Sequence, residues 1–342
     1  MSSAQGFERS SGPQRKERTS TRRKFFALMS GAAALPFLRR AAAAAAYPNR
    51  PVQIVVPFAA GSAADIFARL IGQRLSERLG KPFVVENRLG AGGNVGTEAV
   101  VRAAPDGNTI LIIGFFNAIN ATLYTKLDFK FQSDIAPVAG IARTANVMEV
   151  APSFPAATLP EFIDYARTRP GKIGMASAGI GTSQHIFGEL FMMMTGIKML
   201  HVPYRNGSQA LTDLIGGRVQ VMFDTLPQSI GHIKAGELRA LAVTTATRSA
   251  ALPEIPTIGQ FVKGYEASGW QGVGVPKGTP IEIVRTLNSE INACLAKPDI
   301  VDRLAKFGAT PLVVSPAAFS EFVSDETAKW AKVVNFAGAR AD

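Results

Sequence analysis

The chain of 342 residues carries one cysteine, three histidines and a formal net charge of +11, with 47% hydrophobic residues. A single cysteine excludes an internal disulfide and a thiolate zinc site, and His185, His201 and His232 have no H-E-x-x-H spacing. Nine Lys/Arg and two acids fall in residues 1–46, leaving +4 for the remainder, which has no clustered basic face of the kind that binds nucleic acid.

Residues 1–46 read as an export signal rather than as part of the fold. Thr21-Arg22-Arg23-Lys24-Phe25-Phe26 precedes an apolar run from Ala27 to Leu38, then Arg39-Arg40 and six alanines ending at Ala46. Paired arginines ahead of two phenylalanines have the pattern of a twin-arginine signal. The apolar run is shorter than the roughly 20 residues a bilayer span needs. Cleavage is expected near Ala46–Tyr47.

From there the rhythm is strand, loop, helix. Residues 52–56 form the continuous apolar run of a strand buried on both faces. Ile66, Phe67, Leu70, Ile71, Leu75 and Leu79 recur at helical spacing, and Gly80 with Pro82 stops that helix. A second strand is expected at 83–85, then a glycine-rich turn at 90–93, a helix to about Ala103 and a third strand at 109–113. Thr158-Leu159-Pro160-Glu161 has the spacing of a capping box and opens a helix to about Thr168. A strand at 172–176 runs into a glycine-rich loop and a helix that Gly196 closes. Strands near 200–202, 219–223 and 238–243 alternate with short helices opened by Ser208 and Pro227. Helices at 280–296, 299–307 and about 317–335 end the chain. Such alternation predicts an α/β fold of two lobes, each a mostly parallel sheet flanked by helices.

Ligands of such sheets bind beyond the carboxyl ends of the strands, where loops meet helix N-termini. Two loops have that position, 58–65 and 177–185, both built of small residues. Exposed backbone N–H groups, small hydroxyls and the positive end of a helix suit a carboxylate without requiring an arginine. The plainer alternative is a pair of ordinary strand-to-helix turns, with Asp65 or Ser183 as caps; pairing across two lobes favours binding. Cofactor and catalytic motifs are missing. Residues 174–179 are not G-x-S-x-G, residues 179–184 lack the third glycine of a dinucleotide fingerprint, and no phosphate-binding loop is present. No cofactor or metal is expected. A hydrolase using Ser177 with His185 or His201 is the enzymatic alternative.

Several stretches carry a family resemblance: Tyr47-Pro48-Asn49-Arg50-Pro51-Val52, Val56-Pro57-Phe58 with Gly61 and Asp65, and Val85-Glu86-Asn87-Arg88-Leu89-Gly90-Ala91-Gly92-Gly93-Asn94. Further on come Ala104-Pro105-Asp106-Gly107, Gly181-Thr182-Ser183-Gln184-His185, His201-Val202-Pro203-Tyr204-Arg205, residues 236–243, residues 252–257, and Trp270, Gly272 and Pro276. In order and across residues 47–342, the chain resembles the periplasmic, Bug-type substrate-binding receptors of tripartite tricarboxylate transporters. The resemblance implies a two-lobed periplasmic binding protein with two crossover strands and no enzymatic activity. The first lobe would comprise 47–147 with 271–342, and the second 148–270. It implies a small organic carboxylate as ligand, membrane transporter subunits as partners (or a sensor kinase that reads the bound state), and a monomer.

By the same resemblance, the ligand carboxylate would sit on the first loop, held by backbone amides and ordered waters: Phe58, Ala59, Ala60, Gly61, Ser62, Ala63, Ala64 and Asp65. Opposing contacts would come from Ser177, Gly181, Thr182, Ser183, Gln184, His185 and Asp224. The family's first loop usually reads Pro-Gly-Gly, a small residue, Ser/Thr and Asp. This chain has Ala60-Gly61-Ser62-Ala63-Ala64-Asp65, so Ala60 loosens the loop, Ser62 adds a hydroxyl and a Cβ, and Ala64 removes a usual hydroxyl, while backbone donors are retained. A hinge is expected near 145–150 and 268–275.

Overall fold

The apolar run at the start of the fold forms β1 (Val52–Val56) in the computed structural model, which describes residues 47–341. The expected export signal, residues 1–46, lies outside the described residues. Chain order continues with α1 (Ala63–Leu79), β2 (Phe83–Asn87), α2 (Asn94–Val101), β3 (Thr109–Gly114), α3 (Phe115–Leu123), the short α4 (Phe131–Asp134) and β4 (Ile135–Thr144). Then follow β5 (Asn146–Val150), α5 (Leu159–Arg167), β6 (Gly174–Ser177), α6 (Ser183–Thr195), β7 (Leu200–Pro203), α7 (Gly207–Ile215), β8 (Val221–Thr225), α8 (Leu226–Lys234) and β9 (Arg239–Val243). Last come β10 (Gly269–Pro276), α9 (Ile281–Leu295), α10 (Pro298–Ala305), β11 (Ala309–Pro311) and α11 (Pro316–Ala337).

Helix limits follow the sequence signals. The Ser62 side chain accepts from the Asp65 amide at the head of α1, Thr158 accepts from Glu161 at the head of α5, and Gly80 and Gly196 cap the ends of α1 and α6. Two expectations shift. Asn206, not Ser208, caps α7, its side chain accepting from the Gln209 amide. The strand expected at 219–223 begins at Val221, because the amides of Arg218 and Val219 still bond back to the Asp213 carbonyl at the exit of α7.

The strands form two sheets, ordered β11-β4-β10-β3-β1-β2 and β7-β6-β8-β5-β9. The α/β, two-lobed class is as expected, but the sheets are mixed rather than mostly parallel. β1 runs parallel to β2 and β3, and β6 to β7 and β8. β10, β4 and β11 pair antiparallel in the first sheet, as β5 does with β8 and β9 in the second. The physical reason is the crossing. Only Ala145 separates β4 from β5, so β5 enters the second sheet at the edge where β8 leaves it, with Asn146 paired to Thr225. The return strand β10 enters the first sheet alongside β4, with Gly269 paired to Thr144. Hydrogen bonds between Asn146 and Thr244 and from the Ala267 amide to the Thr244 carbonyl bind the two crossing segments together.

One apolar core lies between β1 and the α1/α9 side, with Ile54, Phe67, Ile71 and Leu287 fully buried. The other face of the first sheet opens on a core that continues into the second, through Ile113, Met148, Phe187 and Trp330. Trp330 of α11 stacks on Phe187 of α6 at 5.2 Å between ring centroids. The indole N–H groups of Trp270 and Trp330 both donate to the buried Glu326 carboxylate, at 3.0 and 2.9 Å. Cys294 is a fully buried apolar residue of α9. Among the described residues, no helix is long and apolar enough to cross a membrane, and no group of three His, Cys, Asp or Glu side chains could hold a metal ion.

Candidate functional site

The first loop leaves β1 at its carboxyl end and turns into α1. Gly61 takes φ +83°, a backbone angle that side chains with a Cβ rarely adopt. The turn is tied from inside by Asp65, only 3% exposed. Its Oδ2 accepts from the Gly61 amide at 2.9 Å and from Arg69 Nε at 3.0 Å, and its Oδ1 accepts from Asn87 Nδ2 at 2.9 Å. Asn87 Nδ2 also donates to the Phe58 carbonyl, which pins the loop to the end of β2. Burial would raise the Asp65 pKa, but the hydrogen bonds from Arg69, Gly61 and Asn87 outweigh it and hold the carboxyl down at about 2.

Asp65 therefore faces inward and fixes the loop. The groups left for a ligand are backbone donors. Ser62 N–H donates to the Ala59 carbonyl and Gly61 N–H to Asp65, while the N–H groups of Ala60, Ala63 and Ala64 have no acceptor among the described residues. Ala63 and Ala64 are the first two residues of α1, where the helix end adds partial positive charge. Ala59, Ala60 and Ala63 are exposed, and Phe58 is half-buried with its ring edge-on to Phe116 at 4.7 Å.

The second loop is knotted by its own side chains. Ser177 Oγ lies 2.6 Å from His201 Nε2, accepts from the Gly179 amide and is fully buried. Thr182 Oγ1 donates to the Gly179 carbonyl at 2.7 Å. His185 Nδ1 accepts from the Gly181 amide, so in the neutral ring the proton sits on Nε2, facing Glu189 at 3.4 Å. The His185 and His201 rings stack at 3.8 Å. Burial, helped by His185, pushes the His201 pKa down to about 4. Ser183, Gln184 and His185 are buried, while Gly181 and Thr182 are half-buried.

Asp224 is fully buried rather than open to a ligand, because each carboxylate oxygen already has donors. Oδ1 accepts from Gln184 Nε2 and the Thr225 amide, and Oδ2 is 3.0 Å from Ser229 Oγ. The same Ser229 hydroxyl is 2.7 Å from Oε1 of Glu149, which is also fully buried. A hydroxyl has one proton and cannot donate to two carboxylates. One partner must itself be a donor, and burial together with the charge of Asp224 raises the Glu149 pKa well above the ordinary value. Burial raises the Asp224 pKa as well, but only Glu149 is raised well above its ordinary value; with the proton on Glu149, that carboxyl donates to Ser229, and Ser229 donates to Asp224.

The structure brings the two loops to one shared element, α3. Phe58 meets Phe116 there, and Gly181 lies so close to Leu123 that an added Cβ would be 2.5 Å from a leucine methyl. Phe115 also reaches Phe187 of α6, at 6.2 Å. Sequence reasoning missed Arg69, Asn146, Glu149 and Ser229 as supports. The i,i+4 spacing of Asp65 and Arg69 was a usable signal. Asn146, which donates to Ser183 Oγ and the Phe223 carbonyl, offered none.

Comparison with known proteins gives the following. A model of the family described as tripartite tricarboxylate transporter family receptor matches residues 67–338. A protein of Pseudomonas sp. (strain P51), known by its place in the tcbD-tcbE intergenic region, is 38% identical, over 84% of this chain and 87% of its own. Protein BugT of Bordetella pertussis (strain Tohama I) is 36% identical, over 86% of this chain and 91% of its own. Among solved structures, R. palustris Rpa4515 with adipate shares 40% identity, covers 86% of this chain and 99% of its own, and gives a TM-score of 0.73. The periplasmic binding protein BugD shares 33% identity, with 86% and 100% coverage and a TM-score of 0.70. MatC from Rhodopseudomonas palustris with bound malate shares 30%, with 84% and 100% coverage and a TM-score of 0.69.

Proposed function

We propose a function from one premise: the chain belongs to the family of tripartite tricarboxylate transporter receptors. In this reading it is an exported, monomeric solute-binding receptor, without catalysis, for a small dicarboxylate. The ligand lies between a first lobe of residues 47–147 with 271–342 and a second of 148–270, and the loaded protein is read by membrane transporter subunits. One ligand carboxylate sits on the free amides of Ala60, Ala63 and Ala64, and the second loop with Thr182 closes over it. The unbonded amides of the exposed Ala60 and Ala63, beside an inward-facing Asp65, with that of the buried Ala64 next to them at the head of α1, are the observation that carries the proposal. Two relatives were solved with adipate and with malate, both dicarboxylates, which supports the ligand class. Closure about the crossing segments follows from contacts to both lobes that exist only when they meet.

Calorimetry of the protein against adipate, malate and the neutral diamide of adipate tests this. Binding of a diacid without binding of the diamide is expected, and equal binding of both would reject the carboxylate cradle. The 2.6 Å approach of Ser177 to His201 is the one feature that favours a hydrolase instead. Burial of Ser177 and its bond from Gly179 argue for a loop support. Ester hydrolysis abolished by Ser177→Ala would favour the enzyme. For export, replacing Arg22 and Arg23 by Lys should retain the precursor in the cytoplasm; undiminished export would reject the twin-arginine route.

A further inference from the structure

We propose that a cavity behind the crossing strands is a second binding site, for a small oxyanion, and that its occupancy links the two lobes. The cavity has a volume of about 300 Å³, at the lower end for small-molecule sites. It is not the space between the two donor loops. The first loop follows β1, whereas the cavity lies at the end of β4, three strands away in the first sheet. The second loop follows β6, whereas the cavity's other wall follows β9, three strands further on. The crossing strands stand between the two sites.

Both lobes wall the cavity. Arg143, Gly308 and Thr310 come from the first sheet and its helices, Thr245, Arg248 and Ser249 from the connector after β9, and Ala145 at the crossing closes the bottom. Its charge favours an anion. Arg143 lies over the Phe322 ring at 4.6 Å, reaches Glu266 only at 3.5 Å, and its buried Nε has no partner among the described residues. Arg248 Nη1 donates to the Pro253 and Glu254 carbonyls, and its remaining nitrogens have no acceptor among the described residues. Glu266, the one acid in the lining, is shared with Lys329 at 3.5 Å and with Ser268. Two guanidinium groups against one already engaged carboxylate leave donors in excess, the chemistry that holds a carboxylate, phosphate or sulfate.

Because the walls belong to different lobes, rotation about the crossing must change the cavity's size. An occupant favours the arrangement it fits, and by linkage it changes affinity at the donor loops, which change its own in return. This linkage rests on the closure described under the proposed function; the anion site itself does not.

The test is calorimetry in anion-poor buffer with inorganic phosphate, sulfate and acetate, on the parent, Arg248→Gln and Ala246→Trp. Ala246 lines the cavity and is exposed, so a large ring there fills the space. At least one of the anions should bind the parent, the tetrahedral and planar probes telling which shape fits. Arg248→Gln should bind it roughly tenfold more weakly or worse, as loss of a charged hydrogen-bond donor implies, and Ala246→Trp should not bind it. Without added anion, Arg248→Gln should bind adipate as the parent does. Adding anion should shift adipate affinity several-fold in the parent alone. No binding of any of the three anions, or equal binding by all three proteins, overturns the site. Anion binding that leaves adipate affinity unchanged overturns the linkage. If adipate binds none of the proteins while anion binding still tracks the variants, the dicarboxylate reading fails and the rear site stands.

Discussion

Each sheet buries carboxyl groups beneath its candidate loop, and the two solve the problem of burial in opposite ways. Under the first loop, Asp65 stays charged because Arg69, Gly61 and Asn87 all donate to it. Under the second, Glu149 and Asp224 share the Ser229 hydroxyl with no Arg or Lys hydrogen-bonded to either among the described residues, and a Glu149 that holds its proton donates to Ser229, which donates to Asp224. The loops above have similar compositions but different roles. A charged, fully engaged Asp65 curls the first loop so that its remaining amides point out, whereas the second loop consumes its hydroxyls and ring nitrogens in holding itself. One lobe offers backbone donors. The other offers a shaped cover.

The largest expected effect breaks the first arrangement. Asp65→Ala strands the donors of Gly61, Asn87 and Arg69, at a cost of about 3 kcal/mol in urea unfolding at neutral pH. The Asp65 pKa is depressed in the fold to about 2 from 3.8, so its contribution is present above pH 4 and fades as pH falls towards 2. The difference between parent and variant should shrink over that window; an unchanged difference would show that Asp65 does not act through its charge.

Glu149 should show the opposite sign. Its pKa is raised in the fold, so its stabilisation is complete below an unfolded value near 4.5 and is lost as pH rises. Glu149→Gln keeps a donor for Ser229 and cannot ionise. Above pH 5 its stability should gain on the parent by up to about 1.4 kcal/mol per pH unit until Glu149 titrates. Parallel pH profiles would contradict the shared proton.

Smaller effects sharpen the contrast between backbone and side chain. Gly61→Val meets open space but must adopt φ +83°, so backbone strain alone should cost about 1–2 kcal/mol in unfolding and weaken dicarboxylate binding. Ser177→Ala removes the links to His201 and Gly179 and should cost about 1 kcal/mol in stability, with a weaker effect on affinity. A larger loss of affinity in Ser177→Ala than in Gly61→Val would reverse the roles assigned to the two loops.

What was legible in the sequence was local. The β1 run, the spacing of α1 and α6, the Thr158 and Glu161 box and the glycine stops depend on neighbours within a few residues. β4 was obscured by Pro137 and Gly140, and α3, Phe115–Leu123, follows β3 directly, with no turn residue between them to announce a helix. The antiparallel pairings follow from how the chain crosses between sheets, which no local pattern records. The Glu149, Ser229 and Asp224 chain depends on the pairing of β5 with β8 and on the seating of α8, which place residues up to 80 apart in sequence within hydrogen-bond reach. The first loop's position was legible from strand-to-helix order, but the inward turn of Asp65 required Asn87 of β2, 22 residues on.

The central claim, that backbone amides of the first loop hold a ligand carboxylate, has a direct test in Ala63→Pro. Ala63 is the first residue of α1, and Ser62 before it has φ −67° and ψ 160°, a conformation compatible with a following proline. The substitution deletes one N–H without altering side-chain chemistry in the loop. Calorimetry with the best-bound dicarboxylate, beside a melting curve, should show an unchanged or slightly raised melting temperature and affinity lower by roughly tenfold or more. Parent-like affinity in a folded Ala63→Pro protein would contradict the claim.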